Sequence, residues 1–151
     1  MIAISPPSAE QKWETLSFPS TLYLQPILDL LITHVPARWQ AEVRLGLQEA
    51  LVNAAKHGND LDPGKPVLVR YSIHRNQFRW IISDQGHGFN PPMKCKCQSG
   101  IESTNFKSVG DCGRGLFLLY QIFDQVQWTS QGRELHLSKH IKRWARNPLV
   151  C

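Results

Sequence analysis

Glu49, Asn53 and either Lys56 or His57 recur three or four residues apart within Gln48-Glu49-Ala50-Leu51-Val52-Asn53-Ala54-Ala55-Lys56-His57-Gly58. On a helix that spacing puts a carboxylate, an amide and a cation on one side. The carboxylate can take a proton, the neutral amide oxygen can ligate a hard cation, and the cation can steady an anion. Together they suit phosphate chemistry. Leu47, Ala50, Leu51 and Ala54 follow the i, i+3, i+4, i+7 pattern of a core-facing stripe on the other side. The same residues also describe a plain solvated face, with Gly58 as an ordinary C-terminal stop after His57. A motif this short does not choose between the two.

Two glycine clusters bear on that choice. Asp84-Gln85-Gly86-His87-Gly88 follows directly on the apolar run Ile81-Ile82-Ser83. A carboxylate at a strand end can accept a hydrogen bond from an exocyclic amine such as that of adenine. Glycines at 86 and 88 let backbone approach a ligand closely, although Asp and Gly are also common turn residues. Gly110-Asp111-Cys112-Gly113-Arg114-Gly115 precedes an apolar helical segment. Free amides at a helix N-terminus attract anions, Gly113 and Gly115 would admit phosphate oxygens, and Arg114 could neutralise them. A flexible helix entry capped by Asp111 is the simpler alternative.

The elements that must position these groups can be read from periodicity. Trp13 to Thr21 alternates as a strand, and Leu22 to Val35 carries a helical stripe (Leu24, Ile27, Leu28, Leu31, Ile32) closed by Pro36. A second helix is expected from about Trp39 to His57, then a polar loop from Asn59 to Pro66. Val67 to His74 and Phe78 to Ser83 form a hairpin around Arg75-Asn76. From Asp84 to Gly113 there is little apolar periodicity; roughly thirty such residues suggest a functional lid. Leu116 to Phe123 is an apolar helix, and Val126 to Ser130 with Glu134 to Ser138 make a last hairpin around Gln131-Gly132. Mostly antiparallel, mixed strands with helices on one face predict an α/β two-layer sandwich.

At 151 residues the chain fits one domain, 1–151, with 1–12 as a loose tail around Pro6 and Pro7. No run approaches the roughly 18 apolar residues of a membrane span, and the N-terminus lacks a signal peptide's basic start and apolar core. A cytoplasmic location is expected. The net charge of +5 is moderate. Lys139, His140, Lys142, Arg143 and Arg146 crowd together with Trp144 as their only aromatic, which reads as a solvated tail or an acidic-partner contact. No direct nucleic-acid contact is expected. Cys95, Cys97, Cys112 and Cys151 lack the spacing of paired metal knuckles and read as free cytosolic thiols. His34, His74, His87, His136 and His140 have no metal or triad partners at readable spacing. Gly58 to Lys65 is not a P-loop: five residues separate Gly58 from Gly64, and Pro66 replaces the needed Ser or Thr. No Gly-x-Gly-x-x-Gly turn of the Rossmann type occurs.

In order, the three pieces resemble the nucleotide-binding boxes of the superfamily that holds DNA gyrase, the histidine kinases and the large heat-shock chaperone (GHKL, with the Bergerat or histidine-kinase-like ATPase fold). Glu49-x-x-x-Asn53 resembles its N box, Asp84-x-Gly86-x-Gly88 its first glycine box, and Gly113-x-Gly115 its second. The resemblance spans about Trp13 to Lys139. The wording Glu49-Ala50-Leu51-x-Asn53-Ala54-x-Lys56-His57-Gly58 is most similar to anti-sigma factor serine/threonine kinases. That resemblance implies ATP and Mg²⁺ as ligands, with Asn53 on the metal and Glu49 as the base or the holder of an attacking water. Asp84 would meet the adenine amino group, Gly86 and Gly88 would shape its pocket, and Gly113, Arg114 and Gly115 would close over the phosphates. Lys56 and His57 would add charge. The implied partners are an anti-anti-sigma (STAS-type) protein, a sigma factor, or both, with a homodimer as the implied assembly. The alternative is a non-catalytic, ATP-dependent binding module for the same partners. Pro91-Pro92 and the Cys95/Cys97 pair have no place in the family pattern.

Overall fold

A computed structural model describes residues 11–88 and 114–141. The expected lid beyond Gly88, Gly113, the cysteines, residues 1–10 and the basic residues from Lys142 onward lie outside the described residues.

Five strands form one sheet: β1 (Trp13–Pro19), β2 (Pro66–His74), β3 (Gln77–Ser83), β4 (Gln125–Thr129) and β5 (Glu134–His140), in the order β1-β2-β3-β5-β4. Every described pairing is antiparallel, so β5 inserts between β3 and β4. Alternation decides which face is covered. Val67 and Val69, then Phe78, Trp80 and Ile82, then Leu135 and Leu137 are buried, whereas Arg70, Arg79 and His136 between them are only partly so. The apolar face packs against α1 (Gln25–Leu31), α2 (Ala37–Val52) and α3 (Arg114–Ile122). Leu28, Val43, Leu47, Leu51, Leu116, Leu119 and Phe123 close the core from the helical side, and the Trp80 and Phe123 rings meet edge to face at 5.7 Å. This is the two-layer α/β sandwich that the periodicity predicts.

Two boundaries differ from the sequence reading for local reasons. The first helix is shorter than the stripe from Leu22 to Val35. Pro26 starts it within the first turn, Ile32 already has φ −101° and ψ 0°, and Thr33 Oγ1 donates to the Asp29 carbonyl at 2.8 Å. A hydroxyl bonded back to that carbonyl competes with further helical turns. The second helix does not run as α-helix to His57. It ends at Val52, and Asn53–Gly58 continue as a single π-helical turn, a form that concentrates at functional sites.

Lys139 corrects the solvated-tail reading. The strand β5 reaches His140, so Lys139 falls on the inward register with Leu135 and Leu137 and is only 6% exposed. Its ammonium donates to the Ile122 carbonyl at 2.5 Å, lies 3.6 Å from Glu42 Oε1 and sits 4.6 Å from the Trp39 ring centroid. A buried charge needs such partners to offset its lost hydration. The contact ties the end of α3 to α2, the helix that carries Glu49. Among the described residues, no helix is long and apolar enough to cross a membrane.

Candidate nucleotide site

The α2 helix places Glu49 and Asn53 one turn apart, and the Asn53 amide still donates to the Glu49 carbonyl in the α-helical pattern. Both side chains are partly buried. Opposite them begins α3: a Cβ added to Gly115 would stand 3.0 Å from Glu49 Oε2 and 3.9 Å from Asn53 Nδ2. Absence of a side chain at Gly115 therefore lets the first turn of α3 approach the carboxylate and the amide closely. Lys56 and His57 are exposed on the π turn. Closing i to i+5 takes them out of the α-helical register on which their alignment with Glu49 depended.

The second cluster forms where β3 ends. Asp84 N donates to the Arg133 carbonyl at 3.0 Å, Gln85 N to Asn59 Oδ1 at 2.7 Å, and Gly86 N to Asp84 Oδ1 at 2.8 Å. Three successive amides are thus anchored in a loop without regular structure. The π turn lies directly against it: a Cβ on Gly58 would be 2.4 Å from Asp84 Cγ, and one on Gly86 would be 2.1 Å from the Gly58 carbonyl oxygen. Gly88, at φ +94°, passes equally close to the Gln131 carbonyl of the β4–β5 turn. The close approaches made by these two glycines in the structure are to the protein's own backbone. A cleft of about 380 Å³ beside the loop has Asp84, Gln85 and Arg133 in its walls.

A family profile described as Histidine kinase-like ATPase domain matches residues 29–139, from within α1 to β5, and so includes both clusters. The chain belongs to that family. It is also similar to two curated proteins named Serine-protein kinase RsbW. One, from Bacillus licheniformis, is 24% identical over 104 residues, 68% of this chain and 65% of that kinase. The other, from Bacillus velezensis, is 26% identical over 103 residues, 66% of this chain and 64% of that kinase. The matched region spans just under two-thirds of either kinase's own length.

Within this ATPase domain the structure gathers the candidate residues into two groups joined by the π turn. Glu49, Asn53 and Gly115 face one another; Asp84, Gly86 and Gly88 meet Gly58 and the β4–β5 turn. Gly113 and the Arg114 side chain lie outside the description. Three contributors escaped the sequence reading. Gly58 looked like a helix stop but forms the wall against Asp84. Asn59 looked like the start of a polar loop but is fully buried. Arg133 lies in the last hairpin, 49 residues from Asp84 by numbering, and only the pairing of Ser83 with Glu134 brings them together.

Burial pushes the Asp84 carboxyl above the ordinary carboxylate value, while the Gly86 amide and the Arg133 charge pull it back down. The sign of the consequence follows. With a folded-state pKa above the unfolded one, the group costs stability as pH rises through the interval between them, and that cost is relieved as pH falls. A ligand amine donating to Asp84 favours the ionised form. If Asp84 accepts the adenine amine, ATP affinity is expected to weaken as pH drops through the raised Asp84 value, and Asp84→Asn to flatten the profile. Titration calorimetry across the carboxylate range checks this. An affinity independent of pH in the unaltered protein would remove Asp84 from contact with the base.

Proposed function

We propose that this ATPase domain is a protein-serine kinase of the anti-sigma factor type, which binds Mg-ATP and phosphorylates a serine on a STAS-type antagonist, holds a sigma factor, or does both. The observation that carries the reading is the facing of Glu49 and Asn53 with Gly115 at the start of α3. It brings a carboxylate, a neutral oxygen donor and the start of a helix together.

Asp84, at the far side of the π turn, accepts the adenine amino group. Its Oδ1 is engaged by Gly86 N, which leaves Oδ2 for the base. Gly86 and Gly88 shape that pocket by fixing the loop. Phosphates would lie toward the start of α3, where helix N-terminal amides favour anions and Gly113, Arg114 and Gly115 are expected to close over them. Among the described residues, no three His, Cys, Asp or Glu side chains group as an all-protein metal cage. Asn53 instead offers one hard oxygen donor, which suffices for Mg²⁺ when phosphates and water supply the rest. Asn53 would hold that ion, which neutralises phosphate charge. In the transfer, Glu49 takes the proton from the partner's serine hydroxyl. The serine oxygen bonds to the γ-phosphorus, the bond from that phosphorus to the β-bridging oxygen breaks, and ADP leaves.

The two kinases named above act on protein serine by name, which supports this choice of reaction. The test is incubation of the purified protein with γ-labelled Mg-ATP and candidate STAS-type and sigma-factor partners. Label on a partner serine is expected; tight ATP binding with no transfer to any partner would instead identify a nucleotide-dependent binding module. Asn53→Ala is expected to lose the Mg²⁺-dependent part of ATP affinity, read by calorimetry with and without the ion. An unchanged Mg²⁺ dependence would take Asn53 off the metal.

A further inference from the structure

Asn59 is 0% exposed and follows the π turn immediately. Every polar atom of its side chain is engaged. Oδ1 accepts from Gln85 N at 2.7 Å, while Nδ2 donates toward Ser20 Oγ at 2.9 Å, the Lys65 carbonyl at 2.9 Å and the Pro66 carbonyl at 3.2 Å. These partners fix which end is which: a flipped amide would set its oxygen against two carbonyls and its nitrogen against an N–H. Ser20 Oγ itself donates to the Lys65 carbonyl at 2.6 Å, so the donor end is held at the junction of β1 and β2.

Of the three anchored amides in the Asp84 loop, that of Asp84 is held by the β4–β5 turn and that of Gly86 by Asp84 itself. Gln85 alone among them is held from the helical layer, by the residue that ends the turn begun at Asn53. We propose that Asn59 is the positioning residue for base selectivity in this site. It touches no nucleotide. By holding Gln85 it keeps the Asp84 carboxylate against Gly58, where an adenine amino group finds an acceptor and the carbonyl oxygen of guanine finds a repulsive negative charge. This proposal rests on the reading of Asp84 as the adenine acceptor. A hydrogen-bonding site discriminates strongly only while its polar groups are held in place; with Gln85 released, Asp84 can turn away from either base and the preference narrows.

The test compares ATP and GTP affinities, by calorimetry with Mg²⁺, for the unaltered protein, Asn59→Ala and Ser20→Ala, with a thermal midpoint for each. Asn59→Ala is expected to reduce the ATP-to-GTP affinity ratio by about tenfold, the size of one buried hydrogen bond. Ser20→Ala removes the far support without touching Gln85, and is expected to lower the midpoint while leaving the ratio near that of the unaltered protein. Equal changes of the ratio in both variants would mark a general loss of structure and overturn the proposal. Unaltered ATP binding and an unchanged ratio in Asn59→Ala would overturn it alone, whereas no ATP binding by the unaltered protein would overturn the functional reading as well. Should Asn59→Ala not fold, the Gln85 amide carries the test in the unaltered, nucleotide-free protein. Exchange with solvent as slow as that of sheet amides is expected, and exchange as fast as an open loop refutes the clamp.

Discussion

Gly86→Ala is expected to lower ATP affinity by roughly a hundredfold, the combined size of two lost loop hydrogen bonds. The new Cβ would lie 2.1 Å from the Gly58 carbonyl oxygen and 2.8 Å from its carbon, well inside ordinary contact distances. Both obstacles are backbone of the π turn, so no rotamer change relieves the clash; the loop itself must move. Its displacement breaks the bond from Gly86 N to Asp84 Oδ1 and strains the bond from Gln85 N to Asn59 Oδ1. Gly58→Ala makes a useful contrast. Its Cβ would meet the Asp84 carboxyl, 2.4 Å from Cγ, and that side chain can rotate away. The second variant should then lose ATP affinity with little loss of thermal midpoint, whereas Gly86→Ala should lose both. Calorimetry and thermal unfolding read the two quantities. A Gly86→Ala protein that binds ATP as tightly as the unaltered one would show that the loop does not form the base pocket.

The contrast between Glu49 and Asn59 shows why some of this site could be read from sequence and some could not. Glu49 and Asn53 are four residues apart on one helix, so their juxtaposition is a local property that spacing encodes. The strands were legible for the same reason: Val67, Val69, Phe78, Trp80 and Ile82 alternate, and alternation is what one covered sheet face imposes. Asn59 bonds Gln85 across 26 residues and Ser20 across 39. No local pattern marks such contacts, and asparagine after glycine is also ordinary turn chemistry. The insertion of β5 between β3 and β4, which delivers the Arg133 carbonyl to Asp84, is likewise a choice of topology rather than periodicity. Lys139 departs from its sequence reading for a different reason. By sequence its charge groups with the basic residues that follow it. The alternation Leu135, Leu137, Lys139 already placed it on the buried face, where Glu42 and the Ile122 carbonyl receive it. The π turn had no sequence signal that spacing rules detect. It is also what brings Gly58 against Gly86 and makes the two halves of the site one unit.

Glu49→Gln is expected to leave ATP affinity within a few-fold of the unaltered protein and to slow phosphoryl transfer by about 10²- to 10⁴-fold, the usual contribution of a positioned base. Glutamine keeps the length and shape of glutamate, so the close packing of Gly115 on this side chain is preserved. It keeps a neutral oxygen that can still orient a hydroxyl. What it loses is the capacity to take a proton. A purely structural role for Glu49 would therefore survive the change, and a charge-steering role would show as weaker binding of Mg-ATP. A fall in kcat with little change in the KM for ATP isolates the proton-transfer role from both. Asn53→Ala should show the opposite pattern, with Mg²⁺-dependent affinity lost first, if Asn53 holds the metal as proposed. Transfer by Glu49→Gln at the unaltered rate would remove the base assignment. With it would go the argument that this pairing of carboxylate and amide on one helix serves a kinase rather than a nucleotide-gated binding module.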